Sequence, residues 1–545
     1  MPLTLIVNDR SVALGRGETL FDAARRAGVR VPSSCAQTGK CRECLVEVVS
    51  GLDLLTPPTP REQHLGGGFR LSCRATASAD GGVVRCHTMR RGHMRVERRA
   101  TGLPGIPPLL DPTATRRAGR LRIDGVDAGP APASIHGLAI DVGTTTVVLR
   151  LHDLETGELV ADASFENPQR FGGSDVMSRI HYDTSHGGRL LMRTLAAYLR
   201  HAIDDLPVDP ASICEAVVVG NSTMRDLFFR RSVYSIGQAP YRSITEIERE
   251  GGVRPDTTLV ETAARCLLRL HPRAPVYGAP LVSGHVGADA AACMLAVGLA
   301  REERLVAIMD IGTNTELIVG NRHRIVAASC PAGPAFEGGG IRFGMPALDG
   351  AIERVAIRRD GAFELATIGD VPAQGICGSG LIDLLSELRR TGRMNELGRF
   401  EDGRDVVTLD AARAITFGED DVNELAQAKG ANVAGLRVVF EAYGIDFADL
   451  DVFYLAGGFG RHLDVTAAQR IGLIPTLPNA EIVQVGNAAI EGASMALLSA
   501  TRRRELERMV SGVELCRLET HPRFFDAFVE GCQFTPVGSV HGSAS

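Results

Sequence analysis

A chain of 545 residues exceeds what one hydrophobic core supports, so its length predicts three or four domains. Hydrophobic residues make up 44% of it and the net charge is −6, a composition that offers no bulk field to nucleic acid or to an anionic membrane. Only two lysines occur, Lys40 and Lys429, and neither follows a glycine run, which excludes the P-loop nucleotide enzymes; the longest apolar run, Ala290 to Ala300, is too short to span a bilayer.

Residues 3–7 alternate as a strand, turn at Asn8-Asp9 and return to Leu14, after which Glu18 to Ala27 carries helical spacing. Cysteines at 35, 41, 44 and 73 then follow the pattern C-x5-C-x2-C-x28-C, and Leu45 to Val49 reads as a further strand. Thiolates so spaced can hold a 2Fe–2S cluster, and Gly39 with the small residues Ser33, Ser34 and Ala36 suits a loop wrapped closely around sulfides. Residues 1–88 are therefore expected to form a β-grasp ferredoxin-type domain with Cys35, Cys41, Cys44 and Cys73 as its metal ligands. A zinc site is the other use of four such cysteines, but it does not account for the strand pattern around them. The remaining eight cysteines show no ligand spacing and read as small buried hydrophobes; with no basic and apolar leader at the start, they point to a cytoplasmic protein with reduced thiols.

Residues 89–135 read as a basic, proline-rich linker. Ten arginines lie between Arg85 and Arg122, and prolines at 104, 107, 108, 112, 130 and 132 interrupt any long element. Two readings are open: a solvated tether, or an arm whose charge docks the cluster domain on an acidic partner.

From Gly137 the pattern is α/β. Leu138 to Asp141 is an apolar strand ending in an aspartate, followed by Gly143-Thr144-Thr145 and a second strand, and about 170 residues later Leu305 to Asp310, Gly312-Thr313-Asn314 and Glu316 to Val319 repeat the order. Glycine lets backbone N–H groups approach phosphate oxygens, and threonine hydroxyls add donors. An aspartate beside a triphosphate needs a divalent cation between them, which makes Mg2+ the expected bridge. The repeat predicts two similar halves, 136–304 and 305–545, with a cleft between them. Leu455-Ala-Gly457-Gly458-Phe-Gly460 follows an apolar strand, Lys429 lies on a helix just before it, and Gly378-Ser-Gly380 reads as a helix start.

These halves resemble the actin, sugar-kinase and heat-shock-chaperone ATPase superfamily, whose duplicated RNase-H-like halves pinch ATP. The resemblance assigns the adenosine to Gly457 and Gly458, and a nucleoside contact to Lys429, which a solvated helix residue would equally explain. Gly284 to Ala292 and Gly486 to Ala493 resemble the two inter-half helices. Taken with the four cysteines, Gly220-Asn-Ser-Thr-Met224 and Cys377-Gly-Ser-Gly380, nearly the whole chain resembles the reductive activators of corrinoid enzymes.

That resemblance implies an ATP-dependent activator passing one electron from its 2Fe–2S cluster to Co(II) of a corrinoid protein or cobalamin-dependent methyltransferase, restoring Co(I). Asp141 and Asp310 would hold Mg2+ and the attacking water. An upstream reductant and a second copy of the chain complete the expected partners, with no nucleic acid and no membrane. The cluster loop departs from the family in having a single glycine where many relatives have several. Two alternatives keep the fold and give it another activity. One is an ATP-driven electron donor to another low-potential enzyme such as a dehydratase, and the other is a non-redox kinase or chaperone with an accessory ferredoxin domain.

Overall fold

The computed structural model describes residues 3–8, 10–89, 102–401, 403–458 and 463–540. They fall into two compact units, one of 3–89 with 110–278 and the other of 102–109 with 279–540.

The first unit opens with β1 (Thr4–Val7), β2 (Arg10–Ala13), α1 (Leu20–Arg26), β3 (Leu45–Ser50), β4 (Phe69–Leu71) and β5 (Val83–His87), in a sheet of order β2-β1-β5-β3-β4. Period-2 alternation puts Leu3, Leu5 and Val7 on the buried face, where they meet Leu20, Ala23 and Ala24 of α1. The Thr19 hydroxyl accepts the Asp22 amide and starts the helix. This is the expected β-grasp arrangement.

The expected linker is partly structured. Its five arginines at 90–99 lie outside the described residues, but 114–130 form a three-stranded meander of β6 (Ala114–Arg117), β7 (Arg120–Ile123) and β8 (Val126–Pro130). Both turns are two-residue hairpin loops with positive φ throughout, Ala118-Gly119 and Asp124-Gly125. Two of the meander's four arginines are paired, Arg116 with Glu155 beyond it and Arg120 with Asp127 within it. A solvated tether therefore does not describe this stretch.

Seven further elements carry the α/β part of this unit's core: β9 (His136–Val142), β10 (Thr146–Asp153), β11 (Leu159–Glu166), α2 (Val176–Ser185), α3 (Leu190–Asp204), β12 (Ile213–Val219) and α4 (Ser222–Phe228). After α5 (Ile244–Glu250), the edge strand β13 (Leu259–Thr262) and β14 (Pro275–Gly278) complete a sheet of order β11-β10-β9-β12-β14-β13.

The second unit repeats that topology. Following α6 (Ala288–Ala296) come β15 (Val306–Ile311), β16 (Thr315–Gly320) and β17 (Ile325–Cys330), an antiparallel meander like β9-β10-β11. The insertion β18 (Ala351–Ile357), β19 (Phe363–Thr367) and β20 (Gly375–Ile376) precedes α7 (Gly378–Arg390), β21 (Val406–Asp410), β22 (Ile415–Gly418) and the long α8 (Glu419–Tyr443). Then β23 (Val452–Ala456), α9 (Val465–Arg470), β24 (Glu481–Gly486), α10 (Ala488–Leu498), α11 (Ala500–Ser511), β25 (Val513–Leu515) and α12 (Phe524–Gly531) close the chain. The sheet order β24-β23-β15-β16-β17-β25 matches β14-β12-β9-β10-β11 strand for strand up to its last member. The duplicated architecture expected from the repeated turns is thus present.

Residues 279–302, α6 included, pack with the second unit, because α6 crosses α10 at backbone contact. A Cβ on Gly492 would lie 2.0 Å from the Ala292 carbonyl oxygen, so only glycine admits that crossing. Nearby, Leu103 to Leu109 lie beside Ala296, Glu491, Met495, Leu498 and Arg502 around a cavity of about 240 Å³, and Arg502 donates to the Pro107 carbonyl at 3.1 Å. Gly492→Val is expected to force the helices apart and cost roughly 1–3 kcal/mol, seen as a lower thermal midpoint for the second unit with the first unit's transition unmoved.

Candidate functional site

Three constellations carry chemistry, and the first is the cysteine loop. It winds through left-handed backbone at Ala36, Gln37, Gly39 and Arg42, so three residues with side chains take the conformation that glycines would otherwise supply. Cys44 Sγ and Cys73 Sγ stand 3.2 Å apart, and Cys35 and Cys41 form a second hydrogen-bonded pair. Among the described residues no three ligating side chains converge on one point. Two thiol pairs are what two irons, each taking two thiolates, require, whereas one zinc would draw all four together. All four cysteines are free thiols.

Ionisation is prepared in each pair. Burial works against the Cys35 thiolate, yet hydrogen bonds from Thr38, Cys41 and Lys40 bring it down to about 6. Cys73 is lowered to about 6 by the Cys44 hydrogen bond and by Arg74, while Cys44 and Cys41 are raised. The residues present fit a 2Fe–2S group.

The loop is fastened to the α/β part of its own unit. Arg200 on α3 pairs with Glu43 at 3.1 Å, and Glu43 also accepts from Ser34. Tyr198 donates to the Leu45 carbonyl at 3.2 Å, and Tyr182 to the His64 carbonyl at 3.0 Å. Leu45, Phe69 and Met89 join the core around β9 and α3. His64 packs edge-on to Phe171; burial, then the charges of Arg42 and His186, push its imidazole down to about 4.

The second constellation is the turn after β9. Asp141 is buried at the strand end, and a Cβ on Gly143 would lie 2.5 Å from the Thr146 carbonyl. Asn221, which caps α4, donates to the Thr144 hydroxyl at 2.8 Å. Gly220 before it comes so near β9 that a Cβ would sit 2.6 Å from the Val142 carbonyl. Asn167 holds the turn from the other side: its Nδ2 donates to the Gly143 carbonyl at 2.8 Å and its backbone N–H to Thr145 at 2.7 Å. Thr145 is half-buried beside this anchor.

Asn167 also leads to the cysteine domain. Glu166 donates its amide to the Met89 carbonyl at 3.1 Å, Arg170 reaches Glu47 of β3 at 3.3 Å, and Phe171 meets His64. Six residues, 166–171, therefore touch both the turn and the cysteine domain. No periodicity announced this segment, because its role depends on which strands lie beside it.

The third constellation lies in the second unit. Asp310 is the last residue but one of β15, and its carboxyl is raised to about 6 by burial, with Glu337 adding to the rise and the Cys293 thiol donating at 3.4 Å. Glu316 lies behind it, driven well above the carboxylate range by burial and by the charges of Asp289 and Asp310. Gly312 donates to the Asn314 carbonyl across the turn at 3.2 Å, and Thr313 donates its hydroxyl to Glu337. Gly457 presses against this turn: it has φ +101, and a Cβ there would meet the Ile311 carbonyl at 2.3 Å and Asp310 Oδ1 at 3.0 Å. Gly458 is exposed with open space about it, and Phe459 and Gly460 lie outside the described residues.

Glu337 and the glycines after it were not singled out in the sequence. Gly338-Gly339-Gly340 turns so tightly that a Cβ on Gly344 would approach the Gly338 carbonyl to 2.1 Å. A glycine triplet after Pro331 and Pro334 was the available signal.

Lys429 has a different place from the one expected. It is wholly buried on α8, where its ammonium donates to the carbonyls of Gly531 and Gln533 past the end of α12 and lies over the Phe534 ring. These contacts cap the C-terminal end of α12. Cys377 caps α7 as the helix-start reading of Gly378-Ser-Gly380 supposed. No described helix is long and apolar enough to cross a membrane.

Burial lowers the Lys429 ammonium to about 7 from an ordinary 10.5. Between those values the unfolded chain keeps a proton that the folded chain has lost, so stability rises with pH through that window. Lys429→Met is expected to flatten this rise in the second unit's thermal midpoint between pH 7 and 9, and to leave ATP affinity within twofold by calorimetry.

The family described as the C-terminal domain of RACo, the ASKHA domain, matches residues 304–540; the RACo middle region matches 136–302; and the 2Fe-2S iron-sulfur cluster binding domain matches 5–78. The corrinoid activation enzyme RamQ of Eubacterium limosum is 32% identical over 76% of this chain and 73% of its own length. The [Co(II) methylated amine-specific corrinoid protein] reductase of Methanosarcina barkeri is 26% identical over 68% of this chain and 71% of its own. A solved reductive activator for corrinoid, iron-sulfur protein superposes with a TM-score of 0.71 at 27% identity, covering 98% of each chain.

Proposed function

Because the chain belongs to the RACo family of corrinoid reductive activators, we propose that it uses ATP to drive one electron onto the Co(II) of a cytoplasmic corrinoid protein, returning it to Co(I). The observation that carries this reading is the shared segment 166–171, which touches both a phosphate-type turn and the cysteine domain within one folded unit.

The 2Fe–2S group, when bound, supplies a one-electron carrier near the plant-type potential of about −400 mV. Cys35, Cys41, Cys44 and Cys73 hold it, with Arg74 and the loop amides favouring the thiolates. Each ~59 mV that the acceptor couple lies below the donor costs a factor of ten for one electron, so the transfer needs a coupled free-energy source. ATP is the substrate that supplies it. Gly143, Thr144 and Thr145 in one turn, and Gly312, Thr313 and Asn314 in the other, are assigned to its phosphates, with the Gly312 amide and the Thr313 hydroxyl exchanging the Asn314 carbonyl and Glu337 for phosphate oxygens, and Gly457 and Gly458 are assigned to the nucleoside. Asp141 and Asp310 are the carboxylates that would hold Mg2+ and orient the attacking water. Asn167 and Asn221 keep the first turn in one conformation.

Anaerobic protein mixed with Co(II) corrinoid protein, a low-potential reductant and Mg-ATP is expected to develop the Co(I) absorption band only when ATP is present, and Cys41→Ala to abolish it. A Co(II) spectrum that persists while the cluster reduces and ATP is hydrolysed would sink the assignment. Asn167→Ala, which frees the Gly143 carbonyl, is expected to weaken ATP binding by about tenfold, the effect of losing a buried hydrogen bond of ordinary strength.

A further inference from the structure

The cysteine domain is positive in a negative chain. Residues 1–88 hold eleven lysines and arginines against eight aspartates and glutamates, although the whole chain carries −6. Its described acids are mostly occupied. Glu18 pairs with Arg26, Asp22 with Arg25, Glu62 with Arg70 and Asp80 with Arg16, while Glu43 and Glu47 turn toward Arg200 and Arg170.

Of the cations left over, Arg10 and Arg85 lie on β2 and β5, and Lys40, Arg42, Arg61 and Arg74 lie on or beside the cysteine loop. A Cβ built on Gly39 would meet Arg61 Cδ at 3.0 Å and Arg74 Cδ at 3.2 Å, so both side chains flank the loop tip, and Lys40 is the next residue. Lys40 and Arg61 are exposed, and among the described residues neither has an acidic partner. Exposure of the thiols is one-sided: Cys44 and Cys73 are buried, Cys41 is 9% exposed, and Cys35 beside the tip, half-buried, is the most accessible. The side carrying Glu43 and Leu45 is closed by Arg200 and Tyr198 of α3.

From this arrangement we propose that the lip formed by Lys40, Arg61 and Arg74 beside Cys35 is an electron-exit port, docking an acidic surface patch of the Co(II) corrinoid protein. The identity of the acceptor rests on the function proposed above; the positive exit does not. Such a lip steers an acidic partner onto the exposed thiol edge and raises the encounter rate, an effect that salt removes. An upstream donor could meet the same edge, but a small reductant can fill that role, whereas the corrinoid acceptor must present a protein surface.

The test separates the two parts. In the first arm no corrinoid protein is used: the reduced cluster of the full chain gives one electron to an anionic iron(III) hexacyanide or to a cationic cobalt(III) hexaammine, each reduced by one electron. With a positive exit, added salt slows the anionic oxidant and speeds the cationic one, and Lys40→Glu with Arg61→Glu reverses both signs. Arg61→Glu alone, remote in sequence from the ligands, is expected to change the anionic rate by about tenfold at low salt. An unchanged cluster absorption and EPR spectrum shows that the cage survives. Binding of a labelled polyglutamate peptide, read by fluorescence anisotropy, is expected to weaken by a similar factor. Salt-independent rates, or rates untouched by the substitutions, overturn the port.

In the second arm, Co(I) formation with the corrinoid protein in Arg61→Glu is expected to need about tenfold more partner for half-maximal rate, with the saturated rate preserved. A fall confined to the saturated rate, or an effect on the upstream donor alone, overturns the acceptor assignment. Absence of Co(I) in the unsubstituted protein would instead reject the proposed function and leave the first arm standing.

Discussion

The hydrogen bonds that Asn167 makes to the backbone of Gly143 and Thr145 are the constraint that fixes the turn after β9. The phosphate role proposed for this turn requires it to keep one conformation, which a glycine permits but does not enforce. Asn167 enforces it from one side, and Asn221 holds Thr144 from the other. Because residue 166 bonds Met89, which directly follows the cysteine domain, and 170 and 171 reach Glu47 and His64 within it, a displacement of the turn has only a few residues to travel before it meets the cysteine domain.

The same unit shows two ways of giving a loop its shape. At Gly143 and Gly220 the backbone approach excludes any Cβ. In the cysteine loop, Ala36, Gln37 and Arg42 adopt left-handed backbone despite their side chains. Strain of this kind persists when surroundings over-determine it. Here the surroundings are the Arg74 bond to the Gln37 carbonyl, the Gln37 bond to Asp22 and the Glu43 anchor on α3. A loop poor in glycine is thus kept in place by its partners rather than by its own freedom.

In the second unit, small residues allow backbone to meet backbone. Gly492 admits the Ala292 carbonyl, and Gly457 admits the Ile311 carbonyl and the Asp310 carboxylate. Asp310 is consequently surrounded by Cys293, Glu337 and Gly457, in a setting that raises its carboxyl and that a divalent cation would reverse.

Local chemistry was legible in the sequence itself. The cysteine spacing, the two aspartate-glycine-threonine turns and the strand alternation around them are short-range patterns, and they determined the ferredoxin-type fold, the duplicated halves and the family. An Asp124-Gly125 hairpin and the triplet Gly338 to Gly340 were equally local, though less conspicuous among the surrounding prolines. Only the tertiary structure decided what depends on residues far apart in sequence. Lys429 reads as a helix residue near a nucleotide motif until the carbonyls of Gly531 and Gln533 arrive from about a hundred positions away. Arg200 reads as an ordinary helix cation until it meets Glu43, and the small residues of α6 and α10 find their reason only where the two helices cross. Sequence spacing encodes which side chains share a face of one element, but which faces meet is settled by packing and by burial of charge, and those act between elements.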